Sequence, residues 1–145
     1  MLKPLVPVTP HQAKRVERRT RILSIRIVRS FYFAFAGLGY LFRTQRNARI
    51  ELAIALAACG LAAWCHVTRI EWALLTVMIA MVLILEGLNT ALEAAVDLAS
   101  PQIHPLAKTA KDLAAGMVLI ASLASIVVGL LILGPPLLTK LKGLH

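Results

Sequence analysis

Leu113-Ala-Ala-Gly-Met-Val-Leu-Ile-Ala-Ser-Leu-Ala-Ser-Ile-Val-Val-Gly-Leu-Leu-Ile-Leu-Gly-Pro-Pro-Leu-Leu-Thr139 contains no charged side chain. The stretch exceeds the ~20 residues that a helix needs to cross a hydrocarbon core ~30 Å thick, so it reads as a membrane span. The composition of the whole chain agrees. Of 145 residues, 59% are hydrophobic and 16% charged, and the mean hydropathy is +0.76. With so few charged groups a soluble domain could not cover its own apolar surface. The same composition excludes a disordered or collagen-like chain.

Outward from that span, the charge pattern divides the chain into three membrane segments: about 47–67, about 70–99 and about 106–138. In the first, the charge-free stretch is Leu52 to Cys65, which spans only if Glu51 and His66 sit at the two interfaces. Its alanines and Gly60 suit close packing against another helix rather than contact with lipid. Cys59 and Cys65 lie six residues apart on that helix and point to different faces, so they do not bridge and read as packing residues.

From Lys14 to about Phe35, at 100° per residue, Arg15, Arg18, Arg19, Arg26 and Arg29 fall within roughly 100° of arc. They face Leu23, Ile25, Ile27, Val28 and Phe31. This pattern predicts an amphipathic helix lying along a membrane surface, where each cation near an anionic leaflet contributes about 1 kcal/mol. Ahead of it, Pro4, Pro7 and Pro10 predict no continuous helix over residues 1–13. Residues 1–20 are therefore expected to form a basic, disordered tail, and residues 21–145 the membrane domain.

The formal charge of +9 reads as topology and not as a nucleic-acid surface. Eleven Lys and Arg precede Ile50, Lys108 and Lys111 lie in the connection between the second and third spans, and Arg69, Lys140 and Lys142 lie on the opposite side. The positive-inside rule then places the N-terminus in the cytoplasm, with a multi-pass chain in the cell membrane.

On the second span Glu86, Asn89, Thr90, Glu93 and Asp97 stand at offsets 0, 3, 4, 7 and 11, which project onto a sector about 100° wide. With Trp72 as the outer anchor, a rise of 1.5 Å per residue puts Glu86 ~21 Å inward, Glu93 ~31 Å and Asp97 ~37 Å. Keeping an acid at the depth of Glu86 costs about 2.5–3.5 kcal/mol on insertion scales. Either it is a protonated residue bonded to a neighbouring helix, or it has a function. Lys108, Lys111 and Asp112 open the third helix on the same side, so both signs of charge converge. Carboxylates and an amide oxygen suit Mg²⁺, which bridges nucleotide phosphates, and lysine supplies a compact positive charge. For Lys108 a plain topological marker is the simpler reading.

Two segments together resemble the prokaryotic diacylglycerol kinase and undecaprenol kinase family. They are Glu86-Gly-Leu-Asn-Thr-Ala-Leu-Glu-Ala-Ala-Val-Asp97 and Ser100-Pro-Gln-Ile-His-Pro-Leu-Ala-Lys-Thr-Ala-Lys-Asp-Leu-Ala-Ala-Gly116, and the similarity extends from about Arg26 to Leu133. The resemblance implies an all-α integral membrane protein with an N-terminal amphipathic surface helix and three spans, assembled as a homotrimer. It also implies transfer of the γ-phosphoryl of ATP to a membrane-lipid hydroxyl, giving phosphatidic acid from diacylglycerol or undecaprenyl phosphate from undecaprenol.

Carried over by position, Glu93 matches the ligand of the Mg²⁺-nucleotide. Lys111 and Asp112 match nucleotide-binding residues, with Arg26 closing over the phosphates and Asn89 and Asp97 completing the site. Glu86 matches the proton acceptor, and its depth supplies a physical reason, because a carboxylate withdrawn from water is the better base. Gln45 replaces a glutamate that in many members helps to hold metal. Glutamine keeps an oxygen and loses the charge, which weakens metal binding unless Glu51 compensates. Phe33 stands where some members place a tyrosine near the nucleotide. His104, in His104-Pro-Leu-Ala107, is taken with the nucleotide-binding set and is similar to the undecaprenol-preferring branch. A Walker-type GxxxxGK[ST] is absent from the sequence.

The rival from another class is a proton or cation carrier using Glu86, Glu93 and Asp97 as a relay. Between Trp72 and Leu85 the second span offers Thr76 alone as a polar side chain, which leaves such a path without stepping stones. A small assembly or regulatory membrane protein would leave the stripe unexplained.

Overall fold

The computed structural model describes residues 10–100 and 104–143, with side chains from Arg26 onward. Their regular structure is helical: α1 (Pro10–Thr44), α2 (Arg46–Cys65), α3 (Arg69–Ala99) and α4 (Pro105–Lys142). They fall into two units that meet between Tyr40 and Leu41, and each is described by itself.

In the first unit α1 is longer at both ends than the amphipathic pattern predicts. It begins at Pro10, inside the stretch expected to be a tail. Proline is tolerated as a first helical residue because an N–H there has no intrahelical partner in any case. At the other end α1 continues past Phe35 to Thr44 through Gly37 and Gly39, each of which costs about 0.8–1.0 kcal/mol relative to alanine in a helix interior. From Arg26 to Tyr40 nearly every side chain is exposed, Phe31, Tyr32, Phe33 and Phe35 among them. The Arg29 guanidinium lies 5.9 Å from the Phe33 ring centroid, and Tyr32 meets Phe33 edge-on at 5.6 Å. The side chains of Arg15, Arg18 and Arg19 lie outside the described residues.

In the second unit α2, α3 and α4 are each long and apolar enough to cross a membrane. Their bounds lie within a few residues of the predicted spans. Three residues, His66 to Thr68, connect α2 to α3, and so short a connection makes the two helices antiparallel neighbours. His66 takes a left-handed conformation (φ 54°), letting its own N–H and that of Val67 bond to Ala63 and Ala62 carbonyls at 3.2 Å. This satisfies the final turn of α2 without a glycine. Thr68 then opens α3 with a capping box: its hydroxyl accepts from the Glu71 N–H, and the Glu71 carboxylate accepts from the Thr68 N–H at 2.6 Å.

The seam of this unit is narrow. α2 buries Ala48, Ala55 and Ala62 at a seven-residue interval, and α3 buries Leu75 and Val82 at the same interval, the period that keeps one stripe facing a partner helix. Alanine lets the backbones approach closely, which matters in lipid, where association rests on van der Waals contact rather than on expulsion of water. Ala62, Leu75, Ile132 and Leu133 form the core cluster, with Trp72 and Val128 against it. Nearby, the Lys140 ammonium lies 4.9 Å from the Trp64 ring centroid and donates to the Trp64 carbonyl, joining the ends of α2 and α4. Outward-facing Ile70, Leu98, Leu106 and Leu131 are each at least 70% exposed, a surface suited to hydrocarbon.

Candidate active site

α3 carries its polar stripe from the buried middle of the unit to an exposed end. Glu86 is 2% exposed and Thr90 8%, Asn89 and Glu93 are half-buried, and Asp97 is exposed. The Thr90 hydroxyl donates to the Glu86 carbonyl one turn back at 3.0 Å, which settles its polar atom inside the helix. Leu41 packs beside Gly87, where an added Cβ would meet Leu41 Cδ2 at 3.8 Å. On α2, Glu51 is half-buried, and its buried Oε2 has no hydrogen-bond partner.

One and two turns further along, Asn89 Nδ2 donates to Glu93 Oε1 at 3.4 Å, while the buried Asn89 Oδ1 is left unpaired. Beyond Glu93 the stripe meets α4. Lys111 Nζ donates to Asp97 Oδ1 at 2.8 Å and lines the same cavity as Glu93. Lys108 Nζ donates to Asp112 Oδ2 at 2.7 Å. His104 caps α4, its Nδ1 accepting from the Leu106 N–H at 3.2 Å. Glu93, Asp97, His104, Lys108, Lys111 and Asp112 line one cavity of about 460 Å³. A second cavity of about 360 Å³ lies between the three helices, with apolar walls that include Leu75, Val82 and Leu133 and with Glu51 on its edge.

Five of the residues singled out from sequence, Glu93, Asp97, His104, Lys111 and Asp112, thus share one cavity, with Asn89 hydrogen-bonded to one of them. Glu86 stands deeper on the same helix face. Gln45 is the half-buried residue ahead of α2, and its side chain makes no capping bond. Arg26 and Phe33 belong to the first unit. Lys108, which sequence reading treats as a topological marker, joins the cavity. Its signal is the three-residue spacing from Lys111, which puts both lysines on one face of a helix.

Among the described residues no three acids, histidines or cysteines converge on a common metal position. Magnesium does not require such a cage, since it is commonly held by one or two carboxylates together with substrate phosphates and water. The half-buried Glu93 carboxylate beside the unpaired Asn89 Oδ1 is a hard, oxygen-only donor set of that kind.

Comparison with known proteins bears directly on these residues. The family model for prokaryotic diacylglycerol kinase matches residues 32–133, which cover the whole stripe, the cavity and most of α4. The chain belongs to the prokaryotic diacylglycerol kinase family. It is 43% identical over 137 residues to a diacylglycerol kinase of Synechocystis, covering 93% of this chain and 78% of that one. It is 41% identical over 114 residues to an undecaprenol kinase of Bacillus subtilis, covering 77% of this chain and 91% of that one. A diacylglycerol kinase of Escherichia coli is 32% identical over 102 residues, 70% of this chain and 84% of its own length. As a member of this family the chain is a membrane-embedded lipid kinase. Arg26 lies ahead of the family match.

Proposed function

We propose that the charged cavity between α3 and α4 binds ATP and that the chain transfers its γ-phosphoryl group to the hydroxyl of diacylglycerol or undecaprenol. The observation that carries this reading is the convergence of Glu93, Asp97, Lys108, Lys111 and Asp112 on one cavity at the end of a stripe leading back to the buried Glu86. Lys111 exchanges its bond to Asp97 for one to phosphate, and Arg26 and Phe33 are further nucleotide-binding residues in this reading. Glu93 with Gln45, and Asn89 through Oδ1, would hold magnesium, which when bound neutralises phosphate charge.

Glu86, ~10 Å deeper than Glu93 by helix rise, takes the proton of the lipid hydroxyl. The lipid oxygen bonds to the γ-phosphorus, the bond from that phosphorus to the bridging oxygen breaks, and ADP leaves. The apolar cavity edged by Glu51 receives the lipid chain. An acceptor held there need not be drawn into water, which costs about 0.8 kcal/mol per exposed CH₂.

The cavity faces the cytoplasm, in keeping with the excess of Lys and Arg on that side, and the exposed aromatic side chains of α1 suit a membrane interface. Three copies assemble, and the exposed small residues Ala53, Ala57 and Gly60 of α2 offer a face for close helix contact.

Purified protein in bilayers, given labelled ATP and each lipid separately, tests this reading and identifies the acceptor. Labelled lipid should form from at least one acceptor and be lost in Glu93→Ala and Lys111→Ala proteins that remain folded. Absence of transfer to both lipids, or full activity in either variant, would overturn it.

A further inference from the structure

The stability of α4 does not explain Lys108. It is the fourth residue of the helix, near the end where the helix dipole disfavours a cation. Its partner Asp112 follows four residues later, the reverse of the acid-before-base order that best supports a helix. Both side chains are largely exposed, at 76% and 63%, so their attraction contributes little. Topology is served by a cation anywhere in this connection and does not require one a single turn from Lys111 on the wall of the same cavity.

The charge inside the cavity does provide a reason. Glu93, Asp97 and Asp112 bring three carboxylates, and Lys108 and Lys111 bring two ammonium groups. With Lys108 the carboxylates exceed the ammonium groups by one, and without it by two, so its loss would double the like charge that a polyanionic triphosphate meets.

We propose that Lys108 is a second phosphate-binding residue, one that contacts the phosphates remaining in ADP, while Lys111 contacts the phosphoryl group in transfer. This rests on the reading of the cavity as the nucleotide site. The division of labour follows from the helices. α4 opens at the exposed end of the stripe, so Lys108 lies about 4.5 Å further than Lys111 from the level of Glu86. Lys111 is tied to Asp97 and shares the cavity wall with Glu93, on the side toward the lipid. An ammonium group has three N–H donors, and the bond to Asp112 leaves two for phosphate oxygens.

The full chain in bilayers, wild type beside Lys108→Ala and Lys108→Arg, tests the proposal through two measurements: steady-state kinetics, and calorimetric titration with Mg²⁺ plus ATP or ADP. Lys108→Ala should weaken ADP binding and raise the KM for ATP by about five- to tenfold, equivalent to about 1–1.4 kcal/mol. The kcat should move by less than about twofold, and arginine should restore most of the affinity. Lys111→Ala should instead act chiefly on kcat. Unchanged ATP and ADP affinities in Lys108→Ala would overturn the proposal, as would a fall in kcat with KM unchanged. If those results came with loss of transfer in Glu93→Ala, the nucleotide-site reading would survive. A wild-type protein that neither binds nucleotide nor phosphorylates lipid would remove both.

Discussion

The two ends of the α2–α3–α4 unit are built on different physics. Around the α2–α3 turn, Ala62, Leu75, Ile132 and Leu133 fill a small apolar core, the turn is closed by a left-handed His66 and the Thr68–Glu71 box, and Lys140 covers Trp64. The backbone of the turn and the Thr68 and Glu71 side chains find their partners within the chain. At the other end, lysines and carboxylates form exposed pairs around an open cavity, with unpaired oxygens of Asn89 and Glu51 behind them. One end is arranged for stability. The other keeps weak pairs and free acceptors that a ligand can take over.

That contrast predicts a separation of effects. The largest is expected from Glu93→Ala, which should lower lipid phosphorylation by about a thousandfold, or ~4 kcal/mol, with little change in thermal unfolding in detergent. A comparable loss of stability would place Glu93 in the structural half of the comparison. Leu75→Ala should do the converse. Unfolding followed in detergent should show a loss of about 2–4 kcal/mol, while the KM for ATP of the folded fraction stays unchanged.

Gln45→Glu sharpens the account of the charged end. Restoring a carboxylate ahead of α2 should lower the magnesium concentration at half-maximal activity by about three- to tenfold, roughly 0.6–1.4 kcal/mol. No change there would separate Gln45 from the metal. The smallest effect is expected from Lys140→Ala, about 0.5–1 kcal/mol of stability, read as a shift in the unfolding midpoint with activity unaltered.

How much of this was legible in the sequence differs between the same two ends. The spans were, because lack of charge over 20 or more residues is a local property, and α2, α3 and α4 depart from the predicted bounds by only a few residues. The stripe was too, since helical periodicity alone puts Glu86, Asn89, Glu93 and Asp97 on one face. The extent of α1 was not. Proline at its start and two glycines near its end are breakers in isolation, yet Pro10 takes a first position and the helix runs through both glycines to Thr44. That Lys108 shares a helix face with Lys111 follows from their three-residue spacing, whereas the cavity they line depends on how α4 meets α3, which no local pattern encodes. The same holds for Lys140 and Trp64, 76 residues apart.

Which end of the unit receives the nucleotide is decided most directly by photolabelling. The protein in bilayers would be irradiated with azido-ATP and magnesium, with excess ATP as competitor, and labelled peptides would be mapped by mass spectrometry. The account predicts competable label within about residues 93–115. Competable label confined to the α2–α3 turn and the final turns of α4, with residues 93–115 unlabelled, would contradict it.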